Sequence, residues 1–251
     1  MSGRCGWHEL PWHPRVRTVA GGPDWVAVDK GAGVLSHPNR AGRDPQALLR
    51  AAWEPDRQGY RWGPGEAESL ILCHRLDRPT SGVLLLARGR RAERIREAFE
   101  NGEVRKEYRA VGVGRPERRE FRWREQLRRV KTREGDLRVQ VVRGGGQEAV
   151  TEGRELAFRR HPLPLTLLSL RPLTGRTHQL RVQASRHRVP LLGDRLYGDF
   201  GANKRFREGR EGAGDRLYLH AYRLECPVGG ELLRAEAALP EPFLALFPDP
   251  E

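Results

Sequence analysis

The chain has 251 residues, 37% hydrophobic and 31% charged, with 29 Gly and 18 Pro, the profile of a folded, turn-rich protein of one large domain or two small lobes. Lys plus Arg number 46 against 33 acids, a formal net charge of +13, which calls for a polyanionic partner, nucleic acid first. No apolar run approaches membrane length, residues 1–15 lack a signal-peptide core, and Cys5, Cys73 and Cys226 stand far apart without a CxxC pair. Membrane, secreted, disulfide and zinc frameworks are thereby disfavoured, and a reducing cytoplasm is the expected setting.

Residues 24–29 (DWVAVD) alternate as a strand and end in the turn Gly31-Ala32-Gly33. Asp44-Pro45 signals a helix start, with Ala47, Leu48 and Ala51 as its apolar face. Residues 54–67, rich in Pro and Gly, read as loop, and Leu70 to Cys73 and Val83 to Ala87 as short buried strands. Ala92, Ile95, Ala98 and Phe99 recur at helical spacing before Gly102, and Val104 to Val113 returns to strand. Alternating strands fill 119–173, broken by the hairpin signal Gly144-Gly145-Gly146. Thr174-Gly175 opens a helix over RTHQLRVQASRH. A loop over 198–216 precedes strands at 217–225 and 231–238 and a short helix near 242–247. Strands outnumber helices and rarely alternate with them, which predicts an α+β fold on a largely antiparallel sheet.

Three stretches carry candidate chemistry. In CHRLDRPTSGVLLLAR, Asp77 sits between Arg75 and Arg78, before the turn formers Pro79, Thr80, Ser81 and Gly82. As a plain turn residue Asp77 would bond the Thr80 or Ser81 amide. Flanking guanidinium groups also favour an ionised carboxylate, suited to act as nucleophile or anionic anchor rather than as general acid. No second acid stands beside it for a glycosidase pair, and the eight histidines include no HExxH or HxH spacing, so no metal site is expected. In RKEYRAV, Lys106, Tyr108 and Ala110 share one strand face. Tyr108 is there either a core aromatic or a stacking platform for a base. In LTGRTHQLR the helix start offers free amides to a phosphate, aided by Arg176, or is simply the cap of a solvated basic helix.

Together these segments resemble the RluA-type pseudouridine synthases, in that family's order. DWVAVDKGAGVLSHP resembles its opening strand and loop, HRLDRPTSGVLLLAR its catalytic motif, KEYRAVGVG its tyrosine strand and LTGRTHQLRV its arginine helix. PLLGDRLYGD and RLYLHAYRL resemble its closing elements, so the likeness spans about residues 24–240. The resemblance implies a mixed, mainly antiparallel central sheet in two lobes around a basic catalytic cleft. It implies isomerisation of uridine in structured RNA, ribosomal or transfer, by a cytoplasmic monomer without cofactor or metal. It makes Asp77 the catalytic aspartate, Tyr108 the active-site tyrosine and Arg181 the basic partner of Asp77. Expected RNA contacts are His74, Arg75, Arg78, Thr80 and Lys106, the helix-start residues Arg176, Thr177, His178 and Gln179, and Lys204, Arg205, Arg207 and Arg210 in the loop.

Residues 1–23 are expected as an N-terminal extension and 24–251 as the catalytic domain, without a separate N-terminal RNA-binding domain. Two positions depart from the family pattern: Gly31 stands where a proline is common, and Gln183 where a histidine is. Residues 115–165 resemble it weakly. A non-catalytic RNA-binding protein on the same fold, or a glycosylase that releases uracil, would share much of this pattern.

Overall fold

The structure, a computed structural model, describes residues 6–62, 68–131, 137–209 and 216–249. A short 3-10 turn, Trp7–Glu9, precedes β1 (Val16–Gly21), β2 (Trp25–Lys30), β3 (Ala52–Glu54), β4 (Gly59–Trp62), β5 (Glu68–Leu72) and β6 (Ser81–Ala87). Then come α1 (Gly89–Glu100), β7 (Arg105–Val113), β8 (Glu120–Lys131), β9 (Leu137–Val142), β10 (Gln147–Arg159) and β11 (Leu165–Pro172). The chain closes with α2 (Gln179–Arg186), α3 (Phe200–Glu208), β12 (Leu219–Val228), β13 (Glu231–Glu236) and α4 (Glu241–Leu246). It divides into two units, the first running to Arg105 and resuming over Ala221–Ala238, the second covering Lys106–His220 and the residues from Leu239 on.

In the first unit β6 is central. It pairs antiparallel with β2 and β5, β5 with β4, β4 with β3, and β2 with β1. All seven residues of β6 are buried, which explains its continuous apolar run where a half-exposed strand would alternate. The amphipathic α1 lays Ala92, Ile95 and Ala98 against Val83 and Leu85 of β6 and Leu224 and Cys226 of β12. Residues 16–21, expected as part of an extension, are the β1 strand of this sheet.

The second unit is an antiparallel sheet in the order β7-β11-β10-β8-β9. Strand alternation gives it two apolar faces. Ala110, Leu168, Leu170 and Trp123 pack with Leu180 and Ala184 of α2 on one. Val111, Leu165 and Leu167 pack with Ala202 and Phe206 of α3 and Phe243 and Leu246 of α4 on the other.

Three expected elements differ. No helix forms after Asp44-Pro45: the Asp44 carboxylate takes the Gln46 amide, and the backbone of 46–48 bonds Leu35 instead of its own next turn. Ala47, Leu48 and Leu49 are all fully buried, a pattern no single helix face produces. The expected loop at 54–67 begins as the β3–β4 hairpin, across which Trp53 and Tyr60 pair edge-on. In the expected loop at 198–216, Asp199 caps α3 through the Ala202 amide. Only Ala202 and Phe206 anchor that helix, too few to reveal its period among charges.

Candidate active site

In the first unit the turn carrying Asp77 is tied on every side through its main chain. The Ser36 hydroxyl donates to the Leu76 carbonyl (2.8 Å) and accepts from the Leu76 amide (3.2 Å). Lys30, with no exposed surface, donates from Nζ to the carbonyls of Val34 (2.9 Å) and Arg78 (3.3 Å). The Gly33 amide bonds the Arg78 carbonyl (2.8 Å), and the Thr80 amide closes the turn on the Asp77 carbonyl (3.0 Å). Beyond it, Gly82 at φ +112° admits no side chain, because a Cβ would stand 2.2 Å from the Ala221 oxygen. Asp77 is half-buried on this frame.

Arg75 and Arg78 are exposed and face the 33–46 loop. The Arg75 Nη1 lies 3.2 Å from His37 Nε2, and Arg78 donates to the Gly33 carbonyl (3.1 Å) and to Gln46 Oε1 (2.7 Å). Among the described residues neither arginine lies within ion-pair distance of Asp77. His74 Nε2 accepts the Leu85 amide (3.1 Å) and its ring stacks on Phe99 at 4.6 Å. Thr80 is 2% exposed.

In the second unit β7 alternates its functions across the sheet. Tyr108, half-buried, packs with Trp123, Leu170 and Leu180. Glu107, on the opposite face, accepts from Ser169 Oγ (2.6 Å) and from Arg109. Burial alone would raise the Glu107 carboxyl, but Ser169, Arg109 and Arg171 outweigh it and hold the group below its usual range. Lys106 is half-buried, and burial lowers its pKa.

The basic helix expected after Gly175 is instead a buried one. His178 at φ +53° precedes it, and Gln179 to Ala184 are all buried. Gln179 Oε1 takes the Arg176 amide (3.0 Å) expected for a phosphate, and its Nε2 bonds the Val150 carbonyl and Thr151. Gln183 accepts from Thr151 Oγ1 (2.6 Å) and donates to Glu125 (2.5 Å) and the Ala149 carbonyl (3.1 Å). These amides fasten α2 to β8 and β10. His178 lies 2.8 Å from the Tyr197 hydroxyl. Arg176 is exposed, and Thr177 lies beside it at a shallow basic depression shared with Arg128 and Arg129.

Arg181, 4% exposed, forms a two-pronged ion pair: Nε to Asp194 Oδ2 at 2.8 Å and Nη2 to Oδ1 at 2.9 Å. Asp194 Oδ1 also accepts the amides of Leu196 (2.8 Å) and Tyr197 (3.1 Å). Burial would raise the Asp194 carboxyl, but Arg181 and the two amides hold it below the usual carboxylate range. The Arg181 guanidinium also lies over the Tyr197 ring, 5.2 Å from its centroid.

Lys204, Arg205 and Arg207 project from α3 into solvent, Lys204 within 3.9 Å of Glu208, and Arg210 lies outside the described residues. Cys73 and Cys226 are buried and unbridged, with thiols raised by burial and therefore poor nucleophiles. No helix is long and apolar enough to cross a membrane, and no His/Cys/Asp/Glu cluster among the described residues could hold a metal.

Sequence reasoning missed Lys30, Ser36, Asp194 and Tyr197. The signal for Asp194 was its place in GDRLYG, an acid followed by amides free to cap it.

The sequence profile of the RNA pseudouridylate synthase family matches residues 24–186. The chain is 33% identical over 250 residues to tRNA pseudouridine synthase C of Salmonella typhi, covering 90% of this chain and 86% of that one. It is 36% identical over 190 residues to ribosomal large subunit pseudouridine synthase C of Haemophilus influenzae, across 72% of this chain and 55% of that longer protein. Among solved structures, human RNA pseudouridylate synthase domain containing 4 superposes with a TM-score of 0.68 at 26% identity, over 91% of this chain and 90% of that one. An antiparallel α+β fold, the aspartate turn, the tyrosine strand and the arginine helix thus converge, and the chain belongs to the RNA pseudouridylate synthase family.

Proposed function

We propose that the protein isomerises specific uridines in ribosomal or transfer RNA, with Asp77 as the group that breaks the bond between uracil and ribose. Supporting this reading is the frame beneath Asp77, where Ser36 and Lys30 hold the main chain of its two neighbours, Leu76 and Arg78. A carboxylate held this way loses little freedom on meeting a substrate. Asp77 either attacks the anomeric carbon or draws off the neighbouring sugar proton to give a glycal. The freed uracil turns while held, and its carbon 5 bonds to the sugar. Tyr108 stacks on the base and takes part in proton removal at carbon 5. Arg181, oriented by Asp194 and Tyr197, supplies the fixed positive charge of the site. The reaction is redox-neutral, so it calls for no cofactor. The target base leaves its stack first, at a cost of a few kcal/mol.

The test is Asp77→Asn, assayed for pseudouridine formation in bulk ribosomal and transfer RNA transcripts, with binding and melting followed in parallel. Product vanishes while affinity for RNA holds or rises, because an anion has been removed from a protein that binds a polyanion. A folded variant that still converts uridine at the normal rate overturns the mechanism, and free uracil from the wild type would make the protein a glycosylase.

A further inference from the structure

In the second unit β9 meets β8 only from Gln126 on, so β8 residues 120–125 pair with β10 alone. There Phe121, Trp123 and His187 form a face-to-face stack, with centroids 4.4 and 4.9 Å apart and planes within 20° and 7°. Trp123 in the middle is buried, and the two outer rings are half-buried. Gly153 makes the room: a Cβ there would stand 2.3 Å from Phe121 Cε2. Glu125 anchors His187 at 2.6 Å. The stack borders a cavity of about 1040 Å³ also lined by Arg118, Arg154, Arg186 and Arg188.

Each of these four arginines is exposed, and among the described residues no carboxylate pairs with any of them. Other arginines nearby are paired: Arg122, which also lines the cavity, to Glu152, Arg115 to Glu155 and Arg124 to Glu148. Unpaired guanidinium forks suit phosphates, and aromatic ends suit bases. The cavity is also at the upper end of what holds one small molecule, roughly 300–1000 Å³. Asp77, Tyr108 and Arg181 do not line it.

We infer that this cavity holds a single-stranded stretch of the substrate RNA, with a base stacked on the Phe121 end and phosphates on the four arginines. A duplex offers phosphates but keeps its base faces covered, so the ring stack favours a single strand. This inference rests on RNA being the substrate. If the wild type forms no pseudouridine, that reading fails while the binding measurement below still stands.

The experiment compares a labelled single-stranded RNA of mixed sequence with the same strand annealed to its complement, by fluorescence anisotropy over a salt series. Phe121→Leu keeps its apolar packing on Gly153 and loses the ring, so single-strand affinity falls roughly 5- to 100-fold while duplex affinity holds. Replacing each of the four arginines by Gln lowers the log–log salt slope by about 0.7 for every phosphate no longer neutralised. Arg124→Gln, outside the cavity, leaves the slope unchanged. Should Phe121→Leu lower the melting temperature too far, the arginine variants, exposed and unpaired, carry the test alone. Single-strand binding that is unchanged in the variants, or losses equal on duplex and single strand, would overturn the inference.

Discussion

Asp194→Asn is the sharpest probe of how the second unit holds its arginine. The pair it breaks is buried, with side chains 5% and 1% exposed. Asparagine can leave its oxygen at the Oδ1 position, where it still accepts the Leu196 and Tyr197 amides and Arg181 Nη2. Its NH₂ group must then face Arg181 Nε, donor against donor, beside a guanidinium that has lost the Asp194 charge. Removing one partner of a buried pair costs about 3–5 kcal/mol, and the retained amide bonds put Asp194→Asn near the lower figure. Asp194→Ala strands the two amides as well, at about 1 kcal/mol each, and so costs about 2 kcal/mol more than asparagine. Urea unfolding at neutral pH reads both as a shift in midpoint at unchanged slope. A cycle with Arg181→Met should return a coupling of about 2 kcal/mol, within the range for groups in direct contact. If asparagine and alanine cost the same, or either costs under about 1 kcal/mol, the pair does not clamp the arginine.

The acid limb of stability follows from the same carboxylates. Asp194 and Glu107 both lie below their usual values of 3.8 and 4.5, so their contribution is present above that range and is lost as pH falls through the lowered folded values. Melting temperature should therefore drop below about pH 4, and less steeply in Asp194→Asn; parallel curves would remove Asp194 from the acid response. Gly82→Ala places a Cβ against the Ala221 backbone at a positive φ and should cost about 3 kcal/mol or more, read by thermal unfolding; a near-normal melting temperature would mean the strands part freely there. Tyr108→Phe keeps the stacking ring, so RNA affinity should hold while turnover falls roughly 10²–10⁴-fold. Normal turnover would leave Tyr108 a platform only.

Most strands were legible because their residues obey one local rule at a time. The run in β6 is apolar throughout because both its faces are covered, and α1 shows its period because only one face is. The failures share a cause. Around Asp44, hydrogen bonds to Leu35, a distant partner in sequence, replace the local ones that Asp-Pro announces. In the hairpin at 52–62 the turn residues Pro55 and Gly59 are visible, while the cross-strand pair of Trp53 and Tyr60, edge-on at 4.9 Å, joins the strands through a contact that composition does not display.

The candidate site was legible in its chemistry and illegible in its support. Motif reading picked out Asp77, Tyr108 and Arg181, but not the groups that carry them. Arg75 and Arg78 reach toward His37, Gly33 and Gln46, Lys30 braces the turn through carbonyls, and Arg181 meets the Asp194 carboxylate 13 residues on. The departure at Gln183 shows why the last arrangement is stable. A histidine ring offers two nitrogens, whereas the Gln183 amide meets three partners: the Thr151 hydroxyl, the Glu125 carboxylate and the Ala149 carbonyl. Glu125 in turn takes His187, so a polar chain runs from β10 through α2 to β8 with its groups paired. Buried polar groups left unpaired are costly, which means α2 can sit in only one rotation on this sheet. That rotation turns Arg181, among the otherwise apolar and amide-bearing residues that α2 buries over 179–184, inward to Asp194 rather than outward to solvent.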